Sequence, residues 1–141
     1  MLSLITTLPI LLYVGYTDFK RREIENIASI LLLLIGIVQA AFPQSFFGVS
    51  LFERFTVGFG IFVVLLILYK IRPEASGGGD LKLFSALGFC IGTLFFYVLF
   101  FSCLIGLIYA GITRKKGVPM GGAVALTSII LSISYILGFS L

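Results

Sequence analysis

The sequence predicts an all-α integral membrane protein with about six membrane-crossing helical segments. Three observations predict it. Of the 141 residues, 60% are hydrophobic and only 11% are charged, whereas a soluble domain carries about a quarter charged residues. The apolar residues fall into runs of near-spanning length separated by short polar turns. Basic residues cluster in every second turn, as the positive-inside rule requires of a multi-span protein. The length suggests one domain covering residues 1–141.

In chain order, Leu2 to Tyr16 is apolar and interrupted only by small hydroxyls and Pro9. It lacks a basic n-region and a small-residue cleavage site, so it reads as an uncleaved first membrane helix. Asp18 to Glu25 forms a tight charged turn. Asn26 opens a second run that lasts to Phe42 and stops at Pro43. A third run covers Phe55 to Ile71, ending in Lys70, Arg72 and Pro73.

Next comes Ser76-Gly77-Gly78-Gly79-Asp80-Leu81-Lys82, a glycine loop with a carboxylate at the edge of an apolar run. From Leu81 the apolar character resumes to Ile91, which is short for a core of about 30 Å at about 1.5 Å per residue. Gly92-Thr93 reads as a break before a full-length span, Leu94 to Ile112. After the basic turn Thr113 to Gly117, Pro119 starts a last helix that runs to Gly138. The fourth of these six segments is short or continues partway into the fifth.

Nine of the ten basic residues lie in three turns: Lys20, Arg21 and Arg22; Lys70, Arg72 and Lys82; Arg114, Lys115 and Lys116. Arg54, beside Glu53, is the exception. This alternation places the three turns in the cytoplasm, both termini outside, and Asp18 and Asp80 on the same cytoplasmic side. No nucleic-acid signature is present, because the basic residues do not follow one polar helix face. Cys90 and Cys103 sit in apolar segments without a CxxC pattern and read as buried small hydrophobes. Gly88-x3-Gly92 has the spacing of a close helix contact, read as intramolecular packing. The phenylalanines at 46–55 and 95–101 read as lipid-facing or core.

The chemistry rests on the acids. A carboxylate at a membrane boundary is costly and marks a functional-site hypothesis whose partner must be named. For Asp80 the comparable acid is Asp18. The sequence has no His, which removes the usual imidazole base and metal ligand. Two carboxylates sharing one proton supply both a base for water and an acid for a peptide carbonyl. Asp18 follows a helix and Asp80 begins one, so the dipoles favour holding the proton on Asp18 with Asp80 as base. Gly77, Gly78 and Gly79 allow close backbone approach by an extended substrate. The structural alternatives are an Asp80 that only caps a helix after a flexible linker, and an Asp18 that only ends a span.

At this point the residues carry a family likeness. Gly77-x-Gly79-Asp80-x-Lys82-Leu83, with Gly88 and Gly92, resembles the GxGD motif of type IV prepilin peptidases. Asp18-x3-Arg22-x-Ile24-x-Asn26 is similar to that family's D-x3-R-x-I-P-N segment, and Val118-Pro119-Met120-Gly121 resembles its I-P-F-G-P start to the last helix. The resemblance implies a membrane aspartyl endopeptidase that removes the basic leader of prepilin-like, pseudopilin-like or archaellin-like precursors at the cytoplasmic boundary. It implies Asp18 and Asp80 as the catalytic pair, and motif positions for Arg22, Asn26 and Lys82. Lys82 would orient Asp80, meet an acidic group on the substrate, or only snorkel to the interface.

Two positions depart from the pattern. Glu25 stands where the family has Pro, and Gly122 replaces the second Pro of the last motif. The first turn is short and lacks the CxxC region of the bifunctional members, so the expectation is a short peptidase-only form in the plasma membrane. It would need no zinc or other cofactor and have no methyltransferase activity. Two rival readings are a presenilin-like protease, which shares a GxGD element, and a small transporter or assembly scaffold whose acids bind a cation.

Overall fold

The computed structural model describes residues 2–21, 25–42, 44–71, 78–113 and 120–137. These residues form seven helices: α1 (Leu2–Arg21), α2 (Asn26–Ala41), α3 (Gln44–Phe47), α4 (Leu51–Ile71), α5 (Gly78–Ile91), α6 (Leu94–Thr113) and α7 (Met120–Ile136). The fold is all-helical. Arg22, Gly77 and the basic residues 114–116, together with Pro43 and Pro119, lie outside the described residues.

Polarity is arranged inside out. Ile30, Leu33, Phe59, Phe100, Leu107 and Ile130 are among many large apolar side chains on the surface, while Ser3, Thr7, Gln39, Ser102, Thr127, Ser128 and Ser132 are buried. In water such a surface would aggregate; in lipid it is the expected exterior. Several buried hydroxyls donate to carbonyls of their own helices, Thr7 Oγ1 to Leu4 O (2.7 Å) and Ser128 Oγ to Val124 O (2.8 Å), whereas Ser3, Ser29 and Ser132 Oγ have no partner among the described residues. Ser102 Oγ also donates to Thr127 Oγ1 across α6 and α7 (3.1 Å). Among the described residues, α1, α4 and α6 are long and apolar enough to cross a membrane. The apolar helices α2 and α7, with 16 and 17 residues, span only about 24–26 Å at 1.5 Å per residue.

Helix α5 is the centre of the bundle, held between α2 and α4, with α1 packing on α7. Glycines set these distances. A Cβ at Gly58 of α4 would lie 3.0 Å from Phe89 Cβ, and one at Gly36 of α2 would lie 3.1 Å from Cys90 Sγ. Gly88 faces Val57 and Ile61, so the Gly88-x3-Gly92 spacing serves contact within the chain. Gly92 has φ +58°, a left-handed conformation that glycine adopts without a Cβ penalty. It breaks α5 from α6 where the sequence placed the break.

Several boundaries differ from expectation. Helix α1 continues to Arg21 and carries Asp18 inside it; Phe19, Lys20 and Arg21 contain no breaker, and the two cations suit a helix C-terminus. Helix α4 begins at Leu51 rather than Phe55 because Ser50 caps it, its Oγ accepting from Glu53 N–H (3.1 Å). The single turn α3 was not foreseen; Phe42, Phe46 and Phe47 cluster there edge-to-face and stacked. Cys90 is buried as expected, but Cys103 is exposed on the apolar surface. The phenylalanines divide: Phe47 and Phe95 are buried, Phe52, Phe96 and Phe100 exposed.

Candidate active site

The last turn of α1, the start of α2, the start of α5 and the start of α7 meet at one end of the bundle. Side-chain bonds join them. Tyr13 Oη donates to Glu25 Oε2 (2.7 Å), and Arg21 lies 3.7 Å from Glu25 Oε1. Lys82 Nζ donates to Asn26 Oδ1 (2.9 Å), tying α5 to α2. Asp18 Oδ2 accepts from Gly122 N–H (3.2 Å), tying α1 to α7.

Asp18 is 7% exposed. Its place follows from the two glycines opening α7. A Cβ at Gly121 would lie 3.0 Å from Asp18 Oδ2, and one at Gly122 would overlap the Phe19 ring. Glycine at both positions lets the α7 N-terminus come this close without displacing Asp18 or the Phe19 ring. The first amides of a helix have no intrahelical acceptor, so Gly122 N–H is free to serve a carboxylate, and the dipole favours the anion there.

Asp80 is half-buried in the first turn of α5. Both acids therefore face a helix N-terminus, Asp80 its own and Asp18 that of α7. The asymmetry expected from the sequence, with Asp18 at a negative helix end alone, is not what the structure has. Its reason is tertiary: α7 supplies a positive end that chain order does not reveal.

Among the other motif positions, Gly78 is exposed and Gly79 half-buried at the opening of α5, and nothing lies within 4 Å of a Cβ at Gly78. Asn26 and Lys82 are brought together; Arg22 and Gly77 fall outside the described residues. Two residues apart on a helix, Asp80 and Lys82 project about 200° from each other, and Lys82 faces α2. On that side an open pocket of about 480 Å³ runs between α2, α4 and α5, lined by Asn26, Ser29, Leu33, Phe62, Lys82 and Ser85.

The departures from the motif have physical counterparts. Glu25 has φ −68°, the angle a proline ring would impose, and its carboxylate is stapled to Tyr13. Gly122 donates the amide that a proline lacks. The sequence reading named both positions without their contacts, since a contact 104 residues away leaves no local trace. It also passed over Ser50-x-x-Glu53, the S-x-x-E pattern of a helix start.

A bundle with an apolar exterior and two acids at one end against helix N-termini defines a membrane protein with a candidate carboxylate site. The model of the type IV leader peptidase family matches residues 5–111, a stretch containing Asp18 and Asp80. The chain belongs to that family. It is 32% identical over 88 residues to the prepilin leader peptidase/N-methyltransferase of Bacillus subtilis, covering 57% of this chain and 34% of that protein. It is 35% identical over 100 residues to the prepilin peptidase EppA of Methanococcus maripaludis, covering 70% of this chain and 26% of that protein. The matched stretches thus span about a third and a quarter of these relatives' lengths. No solved structure matches the chain.

Proposed function

We propose that this protein is a membrane aspartyl endopeptidase that removes the basic leader of prepilin-like precursors, with Asp18 and Asp80 as its catalytic pair. The observation that carries the reading is the pairing of the family match with two boundary carboxylates at the same end of the bundle. That end is also where the basic residues Lys20, Arg21, Lys70 and Lys82 emerge, which supports a cytoplasmic site and six membrane segments with both termini outside. Residues 1–141 act as one domain in this account.

One carboxylate removes a proton from water while the other, protonated, hydrogen-bonds the scissile carbonyl; close like charges make a shared proton the stable arrangement near neutral pH. Water attacks directly, with no covalent enzyme intermediate. Gly122 N–H fixes the Asp18 carboxylate. The glycines before Asp80 leave room for an extended substrate backbone. The precursor's hydrophobic segment stays in the bilayer, and its basic leader projects to the same aqueous face. The family match favours this reading over the presenilin-like and transporter alternatives.

The test is cleavage of a prepilin-type precursor by the purified protein in detergent or liposomes, with the cut mapped by mass spectrometry. Release of the leader at the start of the hydrophobic segment is the expected result. Failure to cut any precursor bearing a basic leader, by protein shown to be folded, overturns it.

A further inference from the structure

At the opposite end of the bundle, Arg54 is 1% exposed, an unusual burial for a guanidinium because desolvating a charge is expensive. Its Nη1 donates to Cys90 O (2.7 Å) and Phe89 O (3.3 Å), the last carbonyls of α5, and to Gln39 Oε1 of α2 (2.9 Å). Gln39 Nε2 in turn donates to Thr6 Oγ1 (2.6 Å) and Ser3 O (3.2 Å) of α1. The adjacent Glu53 accepts through Oε1 from Thr93 N–H (2.8 Å) and Thr93 Oγ1 (2.6 Å) at the start of α6. A cation thus sits on the negative end of α5 and an anion on the positive end of α6, the charges each dipole favours.

This network joins the far ends of α1 and α5, the two helices that carry Asp18 and Asp80. Asp18 lies 12 to 15 positions from Thr6 and Ser3, about 18–22 Å along the helix, and Asp80 lies 10 positions from Cys90, about 15 Å. A helix transmits an axial shift along its length, so a slip at Gln39–Arg54 reappears at the carboxylates. The Gly58 and Gly36 contacts hold α4 and α2 close to α5, and beside them Cys90 Sγ donates to Leu32 O of α2 (2.9 Å), a bond that also bears on helix height. Directional bonds fix it.

We infer that Arg54 and Gln39 are positioning residues: they set the axial register of α1 against α5, and Glu53 holds the α5–α6 break beside them. The catalytic consequence rests on the proposed Asp18/Asp80 reading, but the register itself does not.

The experiment has two arms, run on the full chain in lipid nanodiscs. The first places spin labels at Lys20→Cys and Gly78→Cys in a Cys103→Ser background and measures their distance distribution. The second measures kcat and KM on a prepilin-type precursor in unlabelled protein. The variants are Gln39→Met, Arg54→Gln and Arg54→Lys, with Leu131→Ala as a core-destabilised control. We expect the distribution to shift or broaden in Gln39→Met and Arg54→Gln, to recover in part in Arg54→Lys, and to stay unchanged in Leu131→Ala. We expect kcat to fall about tenfold or more for a misplacement near 1 Å, with KM within about twofold.

An unchanged distribution in Gln39→Met and Arg54→Gln overturns the inference whatever the activity. If the Arg54 variants do not fold, Gln39→Met alone decides, since it severs the link to α1 while leaving Arg54 on the α5 carbonyls. If the wild type cleaves nothing, the functional reading fails and the distance arm still decides the register.

Discussion

The Gly122–Asp18 contact can be tested by removing one hydrogen atom. Proline at position 122 deletes the N–H, and position 122 lies in the first turn of α7, where proline is tolerated because the amide has no intrahelical acceptor. The obstacle is Phe19, whose ring occupies the space any Cβ at 122 would need. Phe19 is about half exposed and its ring contact is an edge approach to Tyr109, so its truncation is mild. The comparison is Phe19→Ala/Gly122→Pro against Phe19→Ala/Gly122→Ala, which share the cavity and differ in the amide. A hydrogen bond to a charged group is worth about 1.5–3 kcal/mol. Where that bond fixes the reacting carboxylate, the proline variant loses about 10- to 100-fold in kcat/KM relative to the alanine variant. The assay is precursor cleavage, with thermal melts of both proteins to confirm equal folding. Equal kcat/KM in two equally folded proteins refutes a role for the amide.

Three further outcomes follow from other contacts. Glu25→Pro is accepted by the backbone, since φ is already −68°; the gain of roughly 0.4–1 kcal/mol from a stiffer unfolded chain offsets the lost Tyr13 bond, and the melting temperature changes little. A fall of many degrees would show that the staple matters more than the turn angle. Gly58→Leu drives a side chain into Phe89 and costs roughly 1–3 kcal/mol, while Gly60→Leu, which meets open space, leaves the melting curve in place; equal effects would contradict the close α4–α5 approach. In a Cys103→Ser background, Lys70→Cys reacts with an impermeant maleimide from the cytoplasmic side and Phe46→Cys from the other; the reverse pattern overturns the orientation.

The helical fold was legible because lipid imposes a simple code: apolar runs, charged turns, and glycine or proline at the breaks. The start of α2 at Asn26 and the break at Gly92-Thr93 emerged from that code directly. Asp18 and Asp80 stood out because a carboxylate at an apolar boundary is costly. Tertiary partners stayed hidden. The partner of Asp18 is an amide 104 residues away, and the role of Arg54 depends on carbonyls 35 and 36 residues away. As a charge between apolar runs Arg54 read as an exception to the basic turns, whereas burial makes it a clamp. For Lys82 three readings stand in the sequence, orienting Asp80, meeting a substrate acid or snorkelling to the interface; in the structure its Nζ donates to Asn26 Oδ1, because a helix turns the side chains at 80 and 82 apart.

The central claim is that Asp18 and Asp80 act as one unit on water. Single-turnover cleavage of a prepilin-type precursor by wild type, Asp18→Asn, Asp80→Asn and the double variant tests it most directly. The account predicts that each single variant loses at least about 10²–10⁴-fold and that the double variant loses little more than either, as groups acting together do. Retained cleavage in either single variant, or losses that multiply in the double variant, would contradict it.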